Sequence, residues 1–136
     1  MEPLSPSARW WLSLGRAKAE AGDYRSALRC HQRALALSPS NAYVHCCIGH
    51  CHSALKQYEE AVKAYDRALE IRPDYAYVRA ELGSIFSYLE KPQQAAEELN
   101  RAFRIDPKLR NTASYQRSLA SALAHLGQTN ESTGCL

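Results

Sequence analysis

Residues 45–52 read His-Cys-Cys-Ile-Gly-His-Cys-His, a run dense in side chains that bind metals or carry redox chemistry. On a helix, Cys46 and His50 are i, i+4 neighbours, and so are Cys47 and Cys51, so each pair could offer two ligands. A structural zinc ion normally takes four ligands, drawn together from separated segments. No second cluster supplies them: Cys30 and His31 come nearest, and their spacing is not a zinc pattern. Small thiols are ordinary core residues, so packing is the preferred account, and no metal and no cofactor are expected. Catalytic motifs are also missing. The chain has no glycine-rich phosphate loop, no nucleophile elbow and no His-Glu-x-x-His. Glu59-Glu60 and Glu97-Glu98 read as carboxylates near helix starts, where they complement the helix dipole. Arg25, Arg29 and Arg33 form an i, i+4, i+8 stripe that reads as a solvated charged face. The expectation is a protein that is not an enzyme.

Composition narrows the partner class. A net charge of +3 and a pI near 8.6 are too mild for a nucleic-acid surface, which needs a clustered basic face. No apolar run approaches the roughly 20 residues that span a bilayer. Met1 to Ser7 lacks a basic segment followed by an apolar one, so no secretory signal is visible and a cytoplasmic location is expected. The five cysteines are odd in number and include the adjacent Cys46 and Cys47. That does not resemble a secreted disulfide framework, and reduced thiols are the simpler reading.

The elements that must position these residues come from a repeat. Pro39, Pro73 and Pro107 are spaced by 34 residues. The same interval of 34 links Gly15, Gly49 and Gly83; Ala27, Ala61 and Ala95; and Ala34, Ala68 and Ala102. It also links Leu14, Ile48 and Leu82, and Arg33, Arg67 and Arg101. Each unit reads as two helices. In the second unit, Ala42 to Leu55 precedes a polar Lys56-Gln57 turn, then Tyr58 to Ile71, then Arg72-Pro73-Asp74. Tyr58, Ala61, Val62, Tyr65, Ala68 and Leu69 follow the spacing of an amphipathic helix. Proline cannot continue the helix it follows and so punctuates each unit, while Gly22 stops the first helix of the first unit. Fixed Gly and Ala positions let antiparallel helices approach closely, and the large side chains around them fill the space. One hairpin cannot bury its apolar face, whereas stacked hairpins share a core.

A 34-residue helix-turn-helix with Trp11-x-x-Leu14-Gly15, Tyr24, Ala27, Ala34 and Pro39 resembles the tetratricopeptide repeat. The resemblance covers residues 8–41, 42–75 and 76–109 and implies an all-α fold, a right-handed solenoid of antiparallel helix hairpins. His31 stands where the family usually has an aromatic; Tyr65 is standard there and Leu99 is an apolar swap. Residues 1–7 then form an N-terminal extension. Strict register would place Arg117 in the glycine slot, whereas a three-residue insertion within Lys108 to Ser114 aligns Leu119, Ala120, Leu123, Leu126 and Gly127 with a first helix. Residues 110–127 are expected to hold a capping helix (its helical part 113–126), a truncated fourth repeat, and 128–136 a flexible tail.

In the family, first helices line a concave groove that takes an extended peptide or a partner helix. The resemblance maps that groove onto Arg9, Leu12 and Arg16; Tyr43, Cys46, Cys47, His50 and Ser53; Tyr77, Ala80, Glu81, Ser84 and Tyr88; and Ser114, Arg117 and Ser121. Members that bind chaperone tails clamp a C-terminal carboxylate with two Lys, two Asn and one Arg. The matching positions here are Leu12, Arg16, Cys47, Tyr77 and Glu81, so that ligand is not implied. Nor is there an asparagine ladder, because its positions hold Ser13, Cys47 and Glu81. The expected function is a protein-interaction module, an adaptor, scaffold or co-chaperone-like protein with a peptide or partner helix in its groove. Tyr43, Tyr77 and Tyr88 are its candidate anchors. Two alternatives stand beside it: a scaffold that self-associates through exposed ends, where Trp10 lacks a preceding repeat to cover it, and the substrate-recruiting repeat region of a larger enzyme or complex.

Overall fold

Seven α-helices and one 3-10 turn form in a computed structural model that describes residues 4–132, with side chains described through residue 127. The helices are α1 (Pro6–Glu20), α2 (Tyr24–Leu37), α3 (Ala42–Ala54), α4 (Tyr58–Ile71), α5 (Ala76–Tyr88), α6 (Pro92–Ile105) and α7 (Ala113–Ser132). The turn is Pro107–Asn111. Among the described residues there is no strand.

The chain divides into two compact units, Met1–Pro73 and Asp74–Leu136. In the first, α1 pairs with α2, α3 with α4, and α2 packs on α3. Its core joins Leu12, Ala34, Val44, Ile48 and Ala64, with Leu4, Trp11, Leu28, Leu35 and Cys47 packed around it. In the second unit α5 pairs with α6, and α7 packs on both. Ala80, Leu99, Ala102, Phe103 and Tyr115 form that core, sealed by Leu109 and Leu119.

Three contacts repeat within the hairpins. A Cβ built on Gly15 would lie 2.5 Å from Cε1 of His31, one on Gly49 2.6 Å from Cε1 of Tyr65, and one on Gly83 2.8 Å from Cγ of Leu99. Each first helix thus leaves out a side chain where a buried residue of the second helix lies flat on its backbone. The alanines at the shared register positions, Ala27, Ala34, Ala61, Ala68, Ala95 and Ala102, are all at 0% exposure, so the helix pairs meet at close range.

The turns inside the hairpins share a left-handed residue: Gly22 at φ +83°, Lys56 at φ +60° and Glu90 at φ +58°. Gly22 suits this conformation; Lys56 and Glu90 hold it against the clash of their own Cβ. Helix starts are set by capping: Ser5, Asp23 and Asn41 accept from the backbone N–H three residues on, with Asn41 Oδ1 3.2 Å from Val44 N.

The helix ends and one acidic pair differ from the sequence-based placement. α1 starts at Pro6, inside the expected extension, because Ser5 caps it and Pro6 sits in its first turn. Leu4 of that extension packs on the core. At the other end α7 opens at Ala113, after the 3-10 turn, but runs through Gly127 to Ser132. Helix continues across 128–132 where a flexible tail was expected, since an interior glycine costs only about 1 kcal/mol and no proline follows it. The expected mobility of 133–136 lies outside the described residues. Finally, Glu59 and Glu60 do lie in the first turn of α4, but Glu97 and Glu98 lie beyond the first turn of α6. Glu98 instead pairs with Arg79 of α5 at 3.0 Å, with both side chains largely buried.

Two predictions follow from backbone geometry. Gly49→Ala should lower stability by about 1–3 kcal/mol through overpacking against Tyr65. Gly127→Ala, whose Cβ would meet nothing within 4 Å, should instead stabilise slightly; urea denaturation of both variants checks the contrast. Glu90→Gly should raise stability by about 1 kcal/mol by relieving the left-handed turn, read as a higher urea midpoint at unchanged slope.

Candidate functional site

The His/Cys run on α3 is divided among structural tasks. His45 Nε2 donates to the carbonyl of Pro39 at 3.0 Å and so ties α3 to the turn before it. His52 Nδ1 lies 2.8 Å from Gln57 Oε1, across the hairpin turn. Gly49 faces Tyr65, while Cys46 and Cys51 are buried. Only His50 of the run is exposed, its ring set edge-on to Tyr24 at 6.2 Å. Among the described residues no three His, Cys, Asp or Glu side chains converge to hold a metal ion. Burial pushes the Cys47 thiol up to about 11, against a smaller lowering by its hydrogen bond to Tyr43 and by Arg16. Burial, and then Cys47, push Cys51 up to about 12. Both therefore remain protonated, poorly nucleophilic thiols at neutral pH.

The first unit's candidate face is shorter than the sequence implied. Arg9, Arg16 and His50 are exposed and Tyr43 is 39% exposed. Leu12 and Cys46, both expected in the groove, are buried, Leu12 within the core against Val44 and Ile48. Ala80, at the same register position of α5 and also expected in the groove, is buried too, in the core of the second unit. Arg16 lies close enough for its charge to act on Tyr43 and Cys47 of α3 and on His31 of α2. Trp10 is 59% exposed, its ring edge-on to Trp11 at 4.9 Å, and Arg33 lies over Trp11 at 5.3 Å.

In the second unit, Tyr77 is 39% and Tyr88 68% exposed on α5, and Arg117 is exposed on α7. Glu81 and Ser84 are half-buried because α7 engages them. Tyr115 Oη donates to Glu81 Oε1 at 2.6 Å, and Ser118 Oγ donates to Ser84 Oγ at 3.2 Å. A hydroxyl bonded to a carboxylate at this length is a charge-assisted contact. Tyr115 and Ser118 were absent from the sequence-based set. The shifted register held a signal for Tyr115: it falls 37 residues after Val78, a buried slot in which a phenol must find a partner for its hydroxyl.

Stacked antiparallel hairpins with polar, aromatic first-helix faces define a helical-repeat protein. The chain belongs to the tetratricopeptide repeat family: models described as tetratricopeptide repeat match residues 42–75 and 76–109, and one described as TPR repeat matches 15–55. No curated protein matches the chain in sequence. Among solved structures, the Sgt2 TPR domain from Aspergillus fumigatus superposes with a TM-score of 0.83 at 20% identity, over 93% of this chain and 83% of that one. The first TPR of Spaghetti (RPAP3), bound to the HSP90 peptide SRMEEVD, gives 0.83 at 19% identity, over 90% of this chain and 95% of that one. The second TPR domain of human RPAP3, in complex with the HSP70 peptide SGPTIEEVD, gives 0.74 at 21% identity, over 85% and 92%. The fold is therefore the all-α tetratricopeptide repeat fold.

Raised thiol pKa values have a direct readout. At neutral pH the thiolate fraction of Cys47 should fall roughly a hundred-fold below that of an ordinary thiol, and that of Cys51 further still. Iodoacetamide followed by peptide mass spectrometry should label both slowly in the native chain and fast in urea.

Proposed function

We propose that this chain is a non-enzymatic protein-interaction module, an adaptor or co-chaperone-like protein of the cytosol. It holds an extended peptide or a partner helix against its first-helix faces. One observation carries this reading: Tyr43, Tyr77 and Tyr88, all on first helices, remain 39%, 39% and 68% exposed. An exposed tyrosine ring offers a partner a large, rigid contact area at little entropic cost. The peptide-bound RPAP3 structures support a peptide as the ligand class, because the same fold holds one there. Among the described residues no helix is long and apolar enough to cross a membrane.

The peptide itself differs in chemistry from those acidic tails. Of the five clamp positions, Leu12 is buried, Cys47 is a half-buried thiol, Tyr77 is aromatic, and Glu81 is an anion held by Tyr115; only Arg16 is a cation. A carboxylate placed near Glu81 would be repelled, whereas a neutral or basic residue would not. The preferred partner segment is thus apolar or aromatic with a neutral or basic residue facing Glu81.

Affinity capture with mass spectrometry identifies the partner. Tyr77→Ala and Tyr88→Ala should each then weaken binding about ten-fold with helicity unchanged. Unchanged affinity in both variants would move the contact off the first-helix faces. The peptide SRMEEVD should bind no better than about millimolar; low-micromolar binding would overturn the exclusion of acidic tails.

A further inference from the structure

The first hairpin differs from the other two in one atom-level respect. His31 occupies the slot that Tyr65 and Leu99 fill, lying on the bare backbone of Gly15 at 2% exposure. Its Nδ1 is buried and has no hydrogen-bond partner. Such an imidazole fits as a neutral, nearly apolar plate. Protonation would place a full charge and a second N–H donor where no acceptor waits, at a cost that burial makes large. The groups facing it worsen this. Arg16 reaches it from α1 and His50 from α3, and both act to disfavour its charge. Among the described residues no carboxylate acts on it in compensation.

We propose that His31 makes the first hairpin an acid-sensitive latch: protonating the ring drives it off Gly15 and loosens α1 from α2. The Gly49–Tyr65 and Gly83–Leu99 pairs hold the same contact with side chains that do not titrate in this range, and they stay closed. Burial first, then His50 and Arg16, lower His31 from 6.5 to about 4. The direction of the effect is fixed by that lowering. Above pH 6.5 the ring is neutral in both folded and unfolded chains, and the latch is at full strength. As the pH falls from 6.5 towards 4, the unfolded chain takes up a proton that the folded chain refuses, and stability is lost. Arg16 and His50 also belong to the candidate face of this unit, so opening the latch disturbs that face as well.

The test compares the full-length chain with His31→Tyr and His31→Leu, which copy the two sister pairs. Between pH 7.5 and 5.5 the unfolding equilibrium constant of the parent should rise about ten-fold more than that of either variant. Hydrogen exchange at pH 5.5 should show the extra opening in α1 and α2 and not in α5 to α7. Equal pH dependence in parent and variants overturns the proposal. If neither variant folds, imidazole NMR on the parent decides: His31 titrating well below pH 6 supports the latch, and a midpoint at or above 6.5 overturns it.

Discussion

Every hairpin in this chain depends on a side chain that is missing. Gly15, Gly49 and Gly83 each leave a bare stretch of backbone on a first helix, and one large residue of the second helix lies down on it. The partner always sits 16 residues further on. Within that distance the chain turns through a left-handed residue each time, at Gly22, Lys56 and Glu90. At two of the three turns a side chain is held in a conformation glycine would prefer. The pairing of helices is therefore strong enough to impose local strain on its own connection. The fully buried alanines then follow, because helices brought this close have no room for more.

What lies on the glycine decides how each hairpin responds to its surroundings. A tyrosine and a leucine bring apolar area and no charge that changes near neutral pH. A histidine brings a similar plate with a titratable nitrogen, and the geometry around Gly15 gives that nitrogen nothing to bond. One substitution in a repeated contact thus separates otherwise equivalent hairpins. Repeat proteins allow this because each unit contributes its own stability together with that of its contacts with neighbours.

The repeat architecture was legible because its determinants are local and periodic. Pro39, Pro73 and Pro107, together with the three glycines, mark one register that needs no tertiary information. The ends were less legible. Ser5 capping α1 and α7 running through Gly127 depend on local balances of about 1 kcal/mol, which periodicity does not encode. The candidate faces were legible only in part. Register says which residues share a first-helix face, and Tyr43, Tyr77, Tyr88, Arg9, Arg16, His50 and Arg117 are indeed exposed. It does not say how far along that face burial extends, and so Leu12, Cys46 and Ala80 were mapped to the groove although all three are buried.

Packing also bears on the charge a ligand would meet. Register places Glu81 in the groove, and Tyr115 reaches it from α7 and binds one of its oxygens. A hydrogen bond of this length fixes the orientation of the carboxylate. Glu81 is thus oriented from within the second unit, by a side chain of α7. A strict 34-residue interval from Val78 falls on Thr112, three residues before Tyr115, and a threonine has no ring to carry its hydroxyl across to the carboxylate. The helix after α6 therefore shapes what a ligand meets on the face of α5.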